Sequence, residues 1–157
     1  MKNTILGFTF IIATALVISC TSKTEEPTTT FDLVTAKAEI EEANENFMAL
    51  VAAGDSVGLA NAYTSDAKFM SAGAPSVVGR ANIQSAMAGI VNSGITKVDL
   101  RLENVYGTKD LIAEEGELSL FVGDKEVAIE KYLVLWKKED GKWKLFRDIF
   151  NSNLPVE

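Results

Sequence analysis

The stretch Lys131–Ser152, KYLVLWKKEDGKWKLFRDIFNS, constrains the fold most, because it reads as a hairpin that is apolar on both sides. Two extended runs meet at Asp140-Gly141, a dipeptide suited to the positive φ angles of a tight turn. With Glu139 paired to Lys142, one face carries Tyr132, Val134, Trp136, Trp143, Leu145, Arg147 and Ile149. The other carries Leu133, Leu135, Phe146 and Phe150, mixed with Lys131, Lys137, Lys144 and Asp148. A sheet with one wet side alternates cleanly between apolar and polar residues, and this hairpin does not. Each face therefore calls for a cover.

The residues before the hairpin supply one. Leu33, Ala36, Ile40, Ala43, Phe47 and Leu50 recur at three- and four-residue steps, which predicts a long helix with Asp32 as N-cap and Gly54 just past its end. Asp55 can cap a short second helix through Leu59, Ala62 and Tyr63. A strand near Ala67–Ser71 follows, then a third helix after Gly79 with Ile83, Met87, Ile90 and Val91 on one face, ending at Gly94. Val98, Leu100 and Leu102 alternate with charged residues as a strand with one wet face. Leu111–Val122 is the next strand, with Gly116 a candidate bulge between Glu115 and Glu117, and Gly123-Asp124 turns into the hairpin. The order is helix, helix, strand, helix and four antiparallel strands: an α+β domain with helices on one side of a curved sheet.

The chain's N-terminal end does not fit this pattern. Met1-Lys2-Asn3 leads into the apolar run Ile5–Ile18, shorter than the roughly 20 residues a membrane span needs. A basic start, an apolar core and a small residue before a cut read as a secretory signal, residues 1–19. Leu16-Val17-Ile18-Ser19-Cys20 resembles a bacterial lipobox, which implies an acylated Cys20. Residues 20–30, polar and containing Pro27, read as a flexible tether to a domain spanning 31–157. The Glu25-Glu26 pair after Lys23 resembles surface-export signals of some Bacteroidetes lipoproteins. Location in a cell envelope, with the membrane reached only through the lipid, follows as the expectation.

Composition removes several chemistries. The net charge is −7, which disfavours binding to nucleic-acid backbones or anionic lipid faces. Cys20 is the single cysteine, so the domain has no internal disulfide. With no histidine, Ser-His-Asp and Cys-His nucleophiles and His/Cys zinc sites are absent, and no metal or cofactor is expected. Proton transfer near neutral pH is left to carboxylates, lysine or tyrosine with shifted pKa values.

Phe47-Met-Ala-Leu-Val-Ala-Ala-Gly-Asp55, Leu59-Ala60, Tyr63, Asp66-Ala67, Gly79 and Trp136-Lys-Lys-Glu-Asp-Gly-Lys-Trp143 together resemble the nuclear transport factor 2-like superfamily, in its SnoaL-like branch, over roughly Phe31–Leu154. The resemblance implies a cone: a curved antiparallel sheet wrapped around a long N-terminal helix and two shorter helices, with a cavity between helix and sheet. It also implies dimers packed through the convex sheet face, which would cover Leu133, Leu135, Phe146 and Phe150. The other hairpin face would point into the cone.

The best-understood chemistry of that superfamily is steroid isomerisation, with an Asp base and a Tyr and a protonated Asp as oxyanion donors. By spacing, Phe47 stands at the tyrosine position, Ser71 at the base, and Leu133 or Tyr132 near the second aspartate, so that activity is disfavoured. The ligand-pocket candidates are Phe47, Ser71, Tyr132, Val134, Trp136 and Arg147. Glu115 and Glu117, two apart, could pair as carboxylates or form a solvated edge. Asp148 falls on the outer face in this register, facing Lys131, unless a bulge reverses it. Three classes remain open. The favoured one is a lipid-anchored module binding a small, mostly apolar ligand. The second is an isomerase-, cyclase- or hydrolase-type enzyme using Tyr132, Arg147 or a carboxylate, and the third a dimer whose cavity is filled by side chains.

Overall fold

The computed structural model of the protein describes residues 30–154; the expected signal segment, Cys20 and residues 21–29 of the tether lie outside the described residues. Helix α1 (Leu33–Ala53) starts where Asp32 accepts the backbone N–H groups of Val34 and Thr35 at 3.2 and 3.0 Å. Such a cap is worth about 1 kcal/mol. Gly54, at φ 67°, takes the left-handed conformation that ends the helix, and Asp55 at once caps α2 (Ser56–Asn61) through Gly58 N–H at 2.8 Å. Ala36, Ile40, Asn44 and Val51 form the buried stripe of α1.

Tyr63 begins a strand, β1 (Tyr63–Ser71), rather than ending the second helix. The reason is a sheet bond: Leu145 N–H donates to Ala62 O at 3.0 Å and draws the chain into extended pairing. A short strand β2 (Val77–Val78) follows, which the sequence reading lacked, then α3 (Arg80–Asn92). Strands β3 (Lys97–Gly107), β4 (Ile112–Val122), β5 (Lys125–Glu139) and β6 (Lys142–Ser152) form the expected antiparallel meander. The six strands stand in the order β2-β1-β6-β5-β4-β3. The pairing of β1 with β6 is parallel, so the curved sheet is antiparallel with one parallel joint. That joint requires the long crossover through α3 and the meander. Ala36, Ile40, Ile83 and Met87 from the helices meet Tyr63, Ile112, Val134, Trp136 and Leu145 from the sheet in one core.

The hairpin register resolves its mixed faces. Glu139 does pair with Lys142, and Trp136 with Leu145, but Leu135 then pairs with Arg147. Phe146 is an extra residue, a bulge that exchanges the faces for everything after it. Asp148 and Phe150 turn inward, while Arg147 and Ile149 turn outward. The expected inner position of Arg147 is thus corrected: its guanidinium lies 3.6 Å from the Phe146 ring and donates to the carbonyls of Phe146 and Asp66 at 2.7 and 3.2 Å. The expected outer position of Phe150 is corrected with it. A second bulge lies in β3 between Leu102 and Asn104, opposite Gly116, so Gly116 faces a bulge rather than forming one.

Candidate functional site

Between α1, α3 and the inner sheet face lies a cavity of about 490 Å³. Its walls are mainly apolar, with Val51, Leu59, Met87 and Ile90 from the helices and Val98, Leu118, Val134 and Leu145 from the sheet. An aromatic run borders it: Phe47 meets Tyr63 edge-on at 6.3 Å, Tyr63 meets Phe69 at 6.4 Å, and Phe69 meets Phe150 at 5.1 Å. Three carboxylates share the lining: Glu114, Glu130 and Asp148.

Glu114 follows directly from strand parity. Ile112, Glu114, Gly116 and Leu118 alternate inward along β4, and Glu114 is fully buried. Its Oε1 accepts from Asn44 Nδ2 and from Tyr132 Oη, both at 2.7 Å, and its Oε2 accepts from Trp136 Nε1 at 2.6 Å. Burial pushes its pKa up, the three donors oppose that, and the charge of Glu41 adds a smaller upward push. Tyr132 reaches the carboxylate over Gly116, its direct cross-strand partner. A Cβ at Gly116 would stand 2.5 Å from Tyr132 Oη and closer still to the Arg101 carbonyl. Burial and then Glu114 raise Tyr132 far above an ordinary phenol, so it stays a donor.

Asp148 is held differently. It pairs with Val134, which also pairs with Glu114, so the two carboxylates stand on strands two apart, about 10 Å along the sheet. Asp148 is 8% exposed. Its Oδ2 accepts from Tyr63 Oη at 2.6 Å, and among the described residues no donor reaches Oδ1. Burial pushes its pKa up to about 6, with the Tyr63 bond opposing and Glu114 adding to the rise. Tyr63 is itself raised well above the usual phenol value, first by burial. The result is a carboxyl that changes charge near neutral pH, with one oxygen free to meet something in the cavity.

Of the six pocket candidates, Phe47, Ser71, Tyr132 and Val134 line this cavity. Trp136 is buried outside the lining and serves as a donor to Glu114. Arg147 lies on the outer face. Glu115 and Glu117 also point outward: Glu115 accepts from Asn104 and Tyr106, both at 2.9 Å, and Glu117 lies 3.7 Å from Arg101. Asn44, Glu114 and the inward Asp148 were missed. Stepping back by twos from Leu118 finds Glu114; a helical step from Ile40 finds Asn44. Asp148 depends on the Phe146 bulge, which no glycine or proline marks. Among the described residues no three His, Cys, Asp or Glu side chains converge as a metal site.

The same architecture occurs in solved structures. A nuclear transport factor 2-like protein with a cystatin-like fold from Novosphingobium aromaticivorans is similar with TM-score 0.69 and 17% identity, covering 79% of this chain and 86% of its own. A ketosteroid isomerase-like protein from Erwinia carotovora atroseptica is similar with TM-score 0.62 and 20% identity, covering 75% and 96%. A protein of unknown function from Mycobacterium tuberculosis is similar with TM-score 0.69 and 14% identity, covering 79% and 75%. At these identities the likeness concerns the fold. No curated protein matches the sequence. The SnoaL-like domain family matches residues 44–146, the span from Asn44 on α1 to the Phe146 bulge. With most of its length matched, this chain belongs to the SnoaL-like domain family.

Proposed function

We propose that the domain holds one small, mostly apolar molecule in the cone, with Asp148 as its polar contact. The observation that carries this reading is the open Oδ1 of a buried carboxyl in an apolar cavity of about 490 Å³. Small-molecule sites commonly occupy about 300–1,000 Å³ and combine apolar walls with a few convergent polar groups. Titration with the neutral dye Nile red tests it. Saturable one-to-one uptake, lost in an Ala86→Trp variant that fills the cavity, is the expected outcome. Absence of uptake in the unmodified domain would return the cavity to a packing role.

A second reading has its own support. A carboxyl with pKa about 6 suits a general base, which works best when its pKa lies near the operating pH. In that reading Asp148 is the carboxylate that takes the role, in place of Tyr132 or Arg147. The reaction would differ from steroid isomerisation, because by spacing Phe47 and Ser71 stand where the resemblance implies the isomerase tyrosine and base.

The domain's setting belongs to the same proposal. Acylation at Cys20 would tether it to a bacterial envelope membrane; among the described residues no helix is long and apolar enough to cross one. Fatty-acid labelling that persists in Cys20→Ala would refute the anchor. A homodimer through the outer sheet face would cover Leu133 and Ile149, which are 44% and 46% exposed, beside Ile129.

A further inference from the structure

We propose that the ligand class is an apolar amine: a hydrophobic body in the cone, with a protonated nitrogen against the open oxygen of Asp148. This rests on the cavity being a ligand site, as argued above, and adds the sign of the ligand's charge. The lining holds three carboxylates, Glu114, Glu130 and Asp148, and no lysine or arginine. Glu114 is occupied by three protein donors. Asp148 offers one oxygen, Oδ1, with no donor among the described residues, whereas the unpaired Glu130 Oε2 has almost no accessible surface. A carboxyl oxygen that no protein donor meets, set among apolar walls, favours a ligand that brings N–H groups.

The donors point to the same sign. Tyr63 and Tyr132 already donate to Asp148 and Glu114, the Asn44 amide donates to Glu114, and the Ser93 hydroxyl donates to the Ile90 carbonyl at 2.7 Å. A carboxylate or phosphate would therefore enter a negative field with few N–H or O–H groups to receive it. The ring run Phe47, Tyr63, Phe69 and Phe150 suits an ammonium as well, since aromatic faces attract cations. An ammonium against Asp148 forms a charge-assisted hydrogen bond, and no covalent step is involved. The groups facing Asp148 are Tyr63 from β1, Glu114 from β4 and Tyr132 from β5, with Glu130 elsewhere in the lining; the helices contribute only uncharged side chains to it.

The test uses three probes that share one ten-carbon chain: decylammonium, decanol and decanoate. Each displaces Nile red from the unit Phe31–Glu157, whose core is built from its own elements. Near pH 7.5, decylammonium should bind about 10- to 100-fold more tightly than decanoate, with decanol between them, as a charge-assisted bond predicts. Below about pH 5, where Asp148 is protonated, the ammonium advantage over decanol should shrink. Asp148→Asn, which keeps an acceptor for Tyr63, should remove most of that advantage and bring decylammonium down to the level of decanol. Because the head-group series is run on unmodified protein, the result does not depend on a variant folding. Equal binding of decanol and decylammonium, or tighter binding of decanoate, would overturn the amine assignment while leaving the apolar site standing. Binding of none of the three would overturn both.

Discussion

At the scale of a single residue, Asp148 is a buried carboxyl whose surroundings reset its titration. Its carboxyl titrates at about 6 when folded, against an ordinary value of 3.8. Between those values the native state binds more protons than the unfolded state, so stability falls as pH rises through this window. Across the window the loss is about 3 kcal/mol, from the shift converted at 1.36 kcal/mol per unit. Urea unfolding at about pH 4 and about pH 7 should show it, and Asp148→Asn should lose most of that slope. Glu139 works oppositely. The Ser65 backbone N–H, then Arg80, the Ser65 hydroxyl and Lys144, hold it down to about 2, so its contribution is present above the ordinary carboxylate value and is lost as pH falls toward 2. Glu114 is a different case, since its oxygens are all committed. Glu114→Gln places an amide against the Trp136 N–H or the Tyr132 and Asn44 donors, and should cost about 1–3 kcal/mol in denaturant unfolding.

The elements show why some of the site was readable beforehand and some was not. Helix α1, its Asp32 cap and its Gly54 end follow from periodicity and capping chemistry. The β3–β6 meander follows from alternation and from the Asp140-Gly141 and Gly123 turns. Phe47, Tyr132 and Val134 reached the cavity because they lie on unbroken stretches, where parity counts hold. Arg147 and Asp148 lie beyond Phe146, and one unpaired residue exchanged their faces. Packing and pairing set that bulge, and no local residue type announces it. The parallel joint of β1 and β6 is likewise a long-range event, invisible to local pattern. Gly116 is needed for the approach of Tyr132 rather than for a bulge of its own. Gly116→Ala should therefore destabilise the domain by about 1–3 kcal/mol through overpacking and alter the near-ultraviolet signal of Tyr132 and Trp136.

At the scale of the whole molecule, a curved sheet and three helices close around a space that their side chains do not fill. The outer sheet face stays unpartnered within one chain, with Leu133, Ile149 and Ile129 exposed beside the half-buried Leu135 and Phe146. If it is a dimer interface, sedimentation of the domain should give twice the monomer mass, and Leu133→Lys should return it to one. A monomer at tens of micromolar (on the order of common dimer constants) would refute the dimer and leave the cavity account untouched. That account has one central claim, that the cone is a ligand site. Native mass spectrometry of the domain, purified without denaturant and then exposed to the neutral probe Nile red, tests it most directly. It predicts one bound small molecule per domain, absent in a folded Ala86→Trp variant. An adduct-free spectrum for the unmodified domain, or equal binding in that variant, would contradict it.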